Sequence, residues 1–145
     1  MTKSCYKFDI TMIQLSVFLE DRPGVLAVFI KLLMDNKIFI RALTVAKTPD
    51  YGLLLILVDK PERCIELLEE HNYLLSTTEV IAIRLNDHPK ALYEIPKTLG
   101  ENKINIDYCY STLVKEESML IIRVEDDIIE EAINTLKKIG FTIVE

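Results

Sequence analysis

A short charged loop in front of an apolar helix is the part of this chain best suited to chemistry. The segment LEDRPGVL, residues 19–26, places Asp21 and Arg22 before Pro23 and Gly24, and an apolar run follows. A helix N-terminus presents unpaired backbone N–H groups and a partial positive charge, and both suit a carboxylate. Because glycine lacks Cβ, a small molecule could approach the main chain closely at Gly24. The loop is therefore a candidate site for a small carboxylate.

The same loop residues also have structural interpretations. Asp21 could accept hydrogen bonds from a ligand ammonium or cap the helix that it precedes, and the two roles can coexist. Arg22 is expected to face solvent, with contact to a ligand as the alternative. Pro23 suits a first helical turn because its missing N–H would be unpaired there. Gly24 is needed for the turn under either interpretation, so the loop alone leaves binding and structure open.

The composition is that of a folded domain. The chain has 145 residues, half of them apolar, with only four glycines and five prolines, which excludes intrinsic disorder. Its net charge of −6 argues against nucleic-acid binding, which needs a basic patch. No apolar run is longer than six residues, as at residues 53–58, and this is far shorter than the roughly 20 residues of a membrane helix. The mean hydropathy is nevertheless +0.21, so we expect apolar surface buried in more than one layer.

Motifs for metals, cofactors and catalysis are missing from the sequence. Cys5, Cys64 and Cys109 are widely spaced without a CxxC pair, which predicts free thiols, at least some of them buried. His71 and His88 lie at no metal-ligand spacing from other candidates. The sequence contains no dinucleotide-binding, P-loop, nucleophile-elbow or zinc-protease motif. We therefore predict no catalytic residue, no cofactor and no metal.

The N-terminal sequence bears on localisation. Lys7 and Asp9 stand where a signal peptide would have its apolar centre. The prediction is a cytoplasmic protein that does not contact a membrane.

The chain contains one sequence unit twice. LEDRPGVL reappears 66 positions later as LNDHPKAL, and at the same offset DNKIFI matches ENKINI and LLILVD matches LIIRVE. The offset becomes 68 where ERCIELLEEHNYLL matches EEAINTLKKIGFTI, because two residues are inserted near Asp126 and Asp127. Two domains are predicted, residues 12–78 and 79–145, with no Gly/Ser linker between them.

Each copy is predicted to fold as β-α-β-β-α-β. In the first copy, strands at residues 12–20, 38–47, 53–58 and 73–77 alternate with helices that begin at Pro23-Gly24 and at Pro61. The second strand of the second copy covers residues 104–112. Alternation there puts one set of side chains on the helix-covered face, Ile104, Ile106, Tyr108 and Tyr110, and the other set opposite, Asn105, Asp107, Cys109 and Ser111.

A β-α-β-β-α-β unit whose first strand runs into D-R-P-G-V-L resembles the ACT domain, a small-molecule-binding module attached to many enzymes of amino-acid metabolism. Two copies with nothing else resemble the stand-alone tandem ACT proteins, which are amino-acid-binding regulators. The resemblance covers about residues 12–145. It implies an α+β fold of two ferredoxin-like units, whose antiparallel sheets pair edge to edge and carry helices on one face. It also implies a ligand between the first-strand-to-helix loop of one unit and the second strand of the other.

This resemblance implies two unequal sites. The first combines the loop of copy one with the second strand of copy two, where tyrosines offer an apolar body and a hydroxyl; ordinary edge-strand packing is the alternative for them. In the second, weaker site Lys90 replaces Gly24, and would either crowd a ligand or supply a charge. Pro96 should also kink the second copy's helix or cost about 3 kcal/mol. The first site comprises Asp21, Arg22, Pro23, Gly24, Val25, Leu26, Asn105, Asp107, Tyr108 and Tyr110, and the second Asn86, Asp87, His88, Lys90, Ile40 and Ala42.

The first helix of copy one has two apolar stripes. The second copy's helix predicts a buried stripe of Leu92, Ile95 and Leu99, which transfers to copy one as Leu26, Phe29, Ile30 and Leu33. A further stripe then remains, and an exposed stripe usually marks an interface. We expect a homodimer contact there, with cover by the other copy of the same chain as the alternative. The stripe consists of Val25, Val28 and Leu32.

Three classes of function follow. The expected function is a non-catalytic regulator or sensor that binds a free amino acid, with an enzyme of amino-acid metabolism as a possible partner. The second class is a regulatory subunit that binds such an enzyme without a ligand of its own. The third is a small acyl-phosphate hydrolase on the same fold, which would hold a phosphoryl group with an Arg and an Asn. Arg22 lies in a suitable loop for that chemistry, but the sequence assigns no partner Asn.

Overall fold

The chain folds into two compact units, in a computed structural model that describes residues 11–85, 89–113 and 116–144. One unit consists of residues 13–78, and the other of residues 79–144 together with residues 11–12. Cys5, Asn86, Asp87 and His88 lie outside the described residues. Among the helices of the described residues, none has the length and apolar character needed to cross a membrane.

The first unit has the predicted β-α-β-β-α-β order. Its elements are β1 (Met12–Leu19), α1 (Val25–Asp35), β2 (Ile40–Lys47), β3 (Gly52–Val58), α2 (Pro61–Glu70) and the first part of β4 (Leu74–Arg84). In its sheet the strands run in the order β2-β3-β1-β4, and β3 is antiparallel to both β1 and β2. This is the ferredoxin-like arrangement.

The second unit repeats the first. Its elements are the end of β4, α3 (Ala91–Glu101), β5 (Tyr108–Ser111), β6 (Met119–Arg123), a 3₁₀ turn (Asp126–Ile128), α4 (Ile129–Lys138) and β7 (Ile143–Val144). The strands run in the order β5-β6-β4-β7, and β6 is antiparallel to both β4 and β5. Leu15 pairs with Ile56 in the first unit, and Ile81 pairs with Ile122 in the second, so the offset of 66 holds for the strand register. The predicted pair of ferredoxin-like units is confirmed.

The strand that closes the first unit continues into the second. The prediction of a separate strand at residues 73–77 is wrong, because β4 runs without a break from Leu74 to Arg84. Its sequence, LLSTTEVIAIR, is rich in β-branched residues and has neither Gly nor Pro to end a strand. The two repeats are therefore joined by the extended backbone of β4 and not by a flexible linker.

The four α-helices of the described residues end in the same way. The residue after each helix C-cap has a left-handed backbone conformation, and the N–H of the following residue bonds to a carbonyl five residues back. At the end of α1, the Ile38 N–H donates to the Leu33 carbonyl at 2.9 Å, and the Lys37 N–H donates to the Met34 carbonyl at 3.0 Å. This is the Schellman motif. The left-handed residues are Lys37 (φ 60°), Asn72 (φ 65°), Lys103 (φ 60°) and Gly140 (φ 98°).

Each unit has an apolar core between its helices and one face of its strands. Alternate strand residues contribute to it, as their two-residue period requires. The first core includes Leu15, Val17, Phe29, Leu33, Leu54, Ile56, Cys64 and Leu68, and the second includes Ile81, Ile83, Ile95, Leu99, Ile122, Ile133 and Leu136.

Strand residues that alternate with these core residues are buried too. Burial on both faces of the strands accounts for the positive mean hydropathy, as the composition predicts. The side chains concerned are Ala42, Leu55 and Leu57 in the first unit and Val80, Ala82, Met119 and Ile121 in the second.

The predicted helix stripes need correction. In α3 the buried residues are Ala91, Ile95 and Leu99, whereas Leu92 is 66% exposed, so its prediction as a core residue is wrong. The buried stripe starts at Ala91 rather than at Leu92, because residues 91, 95 and 99 are spaced by four and lie one above another on the same face of the helix. In α1 the equivalent buried residues are Phe29 and Leu33, while Leu26 and Ile30 are half-buried.

The predicted interface stripe on α1 is also less exposed than expected. Val28 is 64% exposed, but Val25 and Leu32 are half-buried and pack against the core of the first unit. The prediction of a continuous exposed stripe is therefore wrong, because Val28 alone of the three residues is exposed.

Pro96 lies inside α3, and the helix continues through it.

Candidate functional site

A cleft of about 810 Å³ lies within the first unit, at the end of β1 and beside the N-terminus of α1. Its volume falls in the range of small-molecule sites. Four segments line it, and all of them belong to residues 13–78. They are the end of β1 with the following loop, the first turn of α1, the turn between β2 and β3, and the connection from α2 to β4.

The loop after β1 turns sharply before α1 begins. Gly24 is the N-cap residue, with a left-handed φ of 87°, and α1 begins at Val25 rather than at Pro23. This conformation favours glycine, as the sequence predicts. Among the described residues no side chain caps α1, although the Val25 N–H donates to the Arg22 carbonyl at 3.4 Å, so the N–H groups of Leu26 and Ala27 are not blocked by a capping side chain. The end of the helix can therefore receive a ligand anion.

Asp21 does not cap α1. Its Oδ2 atom lies 3.3 Å from the Lys47 Nζ atom, and the predicted capping role is wrong because the N-cap position falls at Gly24. Leu26 is half-buried against the core. The cleft is lined by the other four predicted loop residues, Arg22, Pro23, Gly24 and Val25.

Arg22 points into solvent, as predicted, and forms an ion pair. Its Nη2 and Nε atoms lie 2.6 Å and 3.1 Å from the Glu20 Oε1 atom, and both side chains are more than 60% exposed. Such an exposed pair contributes little stability, so a ligand can open it at small cost. Glu20 and Arg22 line the cleft together with Asp50 and His71. The rim of the cleft thus carries both signs of charge.

Aromatic and aliphatic side chains form the walls. The rings of Phe18 and Tyr51 meet edge to face with their centroids 5.1 Å apart, and the ring of Tyr73 meets that of Phe29 at 5.3 Å. Thr48 holds the turn that carries Tyr51, since its hydroxyl donates to the Tyr51 carbonyl at 2.8 Å and accepts the Tyr51 N–H at 3.1 Å. The remaining apolar lining is Leu19, Val28 and Leu74.

Sequence reasoning missed most of these walls. Phe18, Tyr51, Tyr73 and Leu74 come from three separate segments, and only the fold brings them to one place. One signal was available in the repeat: three of them align with polar residues in the second copy. Those residues are Arg84, Glu117 and Thr142.

Comparison with known proteins identifies the family. The family model described as an ACT domain pair matches residues 10–144. The chain belongs to the ACT domain pair family. No curated protein sequence matches the chain.

Solved structures with the same fold include protein BT0572 from Bacteroides thetaiotaomicron, which is 26% identical in sequence. The alignment covers 93% of this chain and 92% of that protein's chain, with a TM-score of 0.82. The regulatory subunit of aspartate kinase from Thermus thermophilus, in its ligand-free form, is 15% identical over 90% of this chain and 93% of its own, with a TM-score of 0.61. The corresponding subunit from Thermus flavus is 14% identical over 90% and 93%, with a TM-score of 0.59.

The second ACT domain carries the predicted strand residues. Strand β5 covers Tyr108–Ser111 and is shorter than the predicted 104–112. Burial alternates along residues 104–111, so Tyr108 and Tyr110 are half-buried, while Asn105 and Asp107 are exposed on the opposite side. Burial, and then the neighbouring Tyr108, raises the pKa of Tyr110, which keeps it a neutral hydroxyl. Their contact with a ligand stays a prediction.

Two local features of the predicted second site differ from the expectation. Lys90 is the N-cap of α3 with φ −101°, so its loop differs from the left-handed turn at Gly24. A β-bulge between Ile40 and Ala42 reverses the alternation of β2. Ile40 packs against the helix-covered core, whereas Ala42 lies on the other face, so placing both on one side is wrong.

The described part of the ACT pair holds no group of three or more His, Cys, Asp or Glu side chains able to bind a metal. Its two cysteines there are free: Cys64 is buried and Cys109 is exposed. Burial, reinforced by the Asp59 carboxylate, raises the pKa of the Cys64 thiol to about 11. Cys64 is therefore a protonated core residue at neutral pH.

Proposed function

We propose that this ACT pair, with domains at residues 12–78 and 79–145, is a non-catalytic regulator that binds a free amino acid in the cleft of its first domain. The observation that carries the proposal is the position of that cleft at the uncapped N-terminus of α1. Helix N-termini stabilise anions through their N–H groups and dipole. The carboxylate of an amino acid is a ligand of this kind.

The charged rim suits both ends of an amino acid. The carboxylate can replace Glu20 as the partner of Arg22, while the ammonium binds the released Glu20 or Asp50. When the ammonium binds Glu20, both members of the opened ion pair gain a new partner. This exchange also gives the loop after β1 a role in binding that involves no chemical step.

A regulatory role is supported by membership of the ACT domain pair family. Solved regulatory subunits of aspartate kinase have the same fold. By extension, we propose that the regulated partner is an enzyme of amino-acid metabolism.

A thermal-shift screen of the twenty amino acids at millimolar concentration, followed by calorimetry, tests this function. We expect one or a few of them to bind saturably and to stabilise the folded chain. Arg22→Gln should weaken that binding about tenfold through the loss of a charge-assisted hydrogen bond. Arg63→Gln, at an exposed arginine of α2 outside the cleft lining, is the matched control and should leave affinity unchanged.

The contrary result is also well defined. If none of the twenty amino acids shifts the melting temperature, the ligand-binding proposal is wrong. Copurification of a biosynthetic enzyme with the ligand-unresponsive chain would then support the regulatory subunit without a ligand of its own.

A further inference from the structure

Part of the apolar lining of the cleft is particular to the first ACT domain. Equivalent positions are defined by the strand register, since Phe18 pairs with Leu53 and Arg84 pairs with Met119, each 66 positions later. Four apolar wall residues have polar or charged counterparts in the second domain. The pairs are Phe18 and Arg84, Val28 and Glu94, Tyr51 and Glu117, and Leu74 and Thr142.

The fold does not require these apolar residues. The second domain forms the same β-α-β-β-α-β unit with polar side chains at the equivalent positions. In the first domain, Val28 is 64% exposed and Leu74 is 72% exposed, so neither contributes to the core. Large apolar side chains that line a concave surface without serving the core are typical of a ligand site.

The walls are also preformed for a bulky apolar group. The edge-to-face pair of Phe18 and Tyr51 fixes one wall, and the contact of Tyr73 with Phe29, a fully buried residue of α1, fixes another. Aromatic rings favour offset and edge-to-face contacts with other rings. A ligand side chain between these walls would remove apolar surface from water on both sides.

We propose that the first ACT domain selects α-amino acids with a large apolar side chain, aromatic ones above all, over small or polar amino acids. This specificity rests on the proposed function, because it requires that the cleft bind an amino acid. The charged rim binds the ammonium and carboxylate that all amino acids share. The apolar walls then distinguish between side chains.

Calorimetric titrations with phenylalanine, leucine, glycine, serine and aspartate test the proposal on the full chain. We expect phenylalanine to bind at least tenfold more tightly than glycine, serine or aspartate. Leu74→Thr, which introduces the residue of the second domain at an exposed position, should weaken phenylalanine binding several-fold without unfolding the domain. Tyr51→Glu likewise introduces the residue of the second domain, here at a half-buried wall position, and should also weaken phenylalanine binding. Thr142→Leu, the reverse change at the equivalent position, is the matched control and should leave the affinity unchanged.

The possible failures are distinguishable. If glycine, serine or aspartate binds as tightly as phenylalanine, and Arg22→Gln weakens that binding, the specificity is wrong while the proposed function stands. If no amino acid binds, both are wrong. If phenylalanine binding is weakened by Thr142→Leu and not by Leu74→Thr, the selective site is not this cleft, and the inference is overturned. If Leu74→Thr changes only the sedimentation of the chain and leaves phenylalanine affinity unchanged, Leu74 contacts a second copy rather than the ligand, which also overturns the inference.

Discussion

The ring of Phe18 meets the ring of Tyr51 edge to face, with their centroids 5.1 Å apart and their planes inclined by 68°. Phe18 lies at the end of β1, and Tyr51 lies in the turn immediately before β3. The contact joins the turn to the strand that leads into the Gly24 loop. One wall of the cleft is therefore built by an aromatic pair from two separate segments, which makes the cleft a feature of the folded domain rather than of the loop alone.

Gly24 allows a sharp test of the loop conformation. An added Cβ meets no atom within 4 Å, so Gly24→Ala introduces backbone strain at φ 87° without a clash. We expect the free energy of unfolding to fall by about 1 kcal/mol and amino-acid affinity to fall several-fold, because the loop lines the cleft. Gly140→Ala is the matched control, since Gly140 has φ 98° and equally open surroundings. It should cost similar stability in chemical denaturation and leave calorimetric affinity unchanged; equal losses of affinity in both variants would contradict this role for Gly24.

The left-handed lysines at two helix ends predict stabilising substitutions. Lys37 and Lys103 both have φ 60°, a conformation that costs energy for every residue except glycine. Lys37→Gly and Lys103→Gly should each raise the free energy of unfolding by about 0.5 to 1 kcal/mol in urea denaturation. Lys31→Gly, inside α1, should instead lower it by about 1 kcal/mol. A loss of stability in both helix-end variants would contradict the assigned backbone conformation.

Cys64 makes stability depend on pH at the alkaline end. The folded chain keeps this thiol protonated up to about pH 11, whereas an unperturbed thiol ionises near pH 9. Below pH 9 both states bind the proton, and between pH 9 and 11 only the folded state does. The free energy of unfolding should therefore fall by about 1 kcal/mol per pH unit in this window from Cys64 alone. Denaturation between pH 8 and 10.5 should show a shallower slope for Cys64→Ala than for the parent, while Cys109→Ala, at an exposed thiol, keeps the parental slope. An identical slope in all three would refute the shift.

The predicted homodimer depends on Val28 in particular. Leu32→Lys would place a charge against the core, so its effect on assembly would be mixed with unfolding. Val28→Glu avoids this problem, because Val28 is exposed and Glu94 occupies the equivalent position in the second domain. Sedimentation equilibrium should show a dimeric parent and a monomeric Val28→Glu variant, with Met34→Glu as an exposed control on the same helix. A monomeric parent, or a variant that stays dimeric, would rule out this interface.

The sequence was sufficient for the repeat and for the order of elements, because both depend on local periodicity and on the residues that begin and end each element. The errors arose where one residue changed the outcome. The left-handed Gly24 moved the N-cap past Asp21, and the bulge in β2 put Ala42 on the opposite face from Ile40. Starting the buried stripe of α3 at Ala91 left Leu92 exposed.

The candidate site was predictable only in part. Arg22 and Gly24 belong to a contiguous segment with a recognisable pattern, so the sequence pointed to them. Tyr51, Tyr73 and Leu74 reach the same cleft from other segments, and their strands and turns must be packed before they become neighbours. Comparing the two copies position by position was the available signal, because side chains that differ between equivalent folds are free to serve function.

The location of the ligand is the most direct test of the account. A ¹⁵N-labelled chain should be titrated with phenylalanine and followed through its backbone amide resonances. Binding in the first ACT domain predicts saturable shifts at Arg22, Gly24 and Tyr51, with Lys90 and Thr142 unmoved. Shifts confined to residues 79–144, or no shifts at saturating phenylalanine and at millimolar concentrations of the other amino acids, would contradict it.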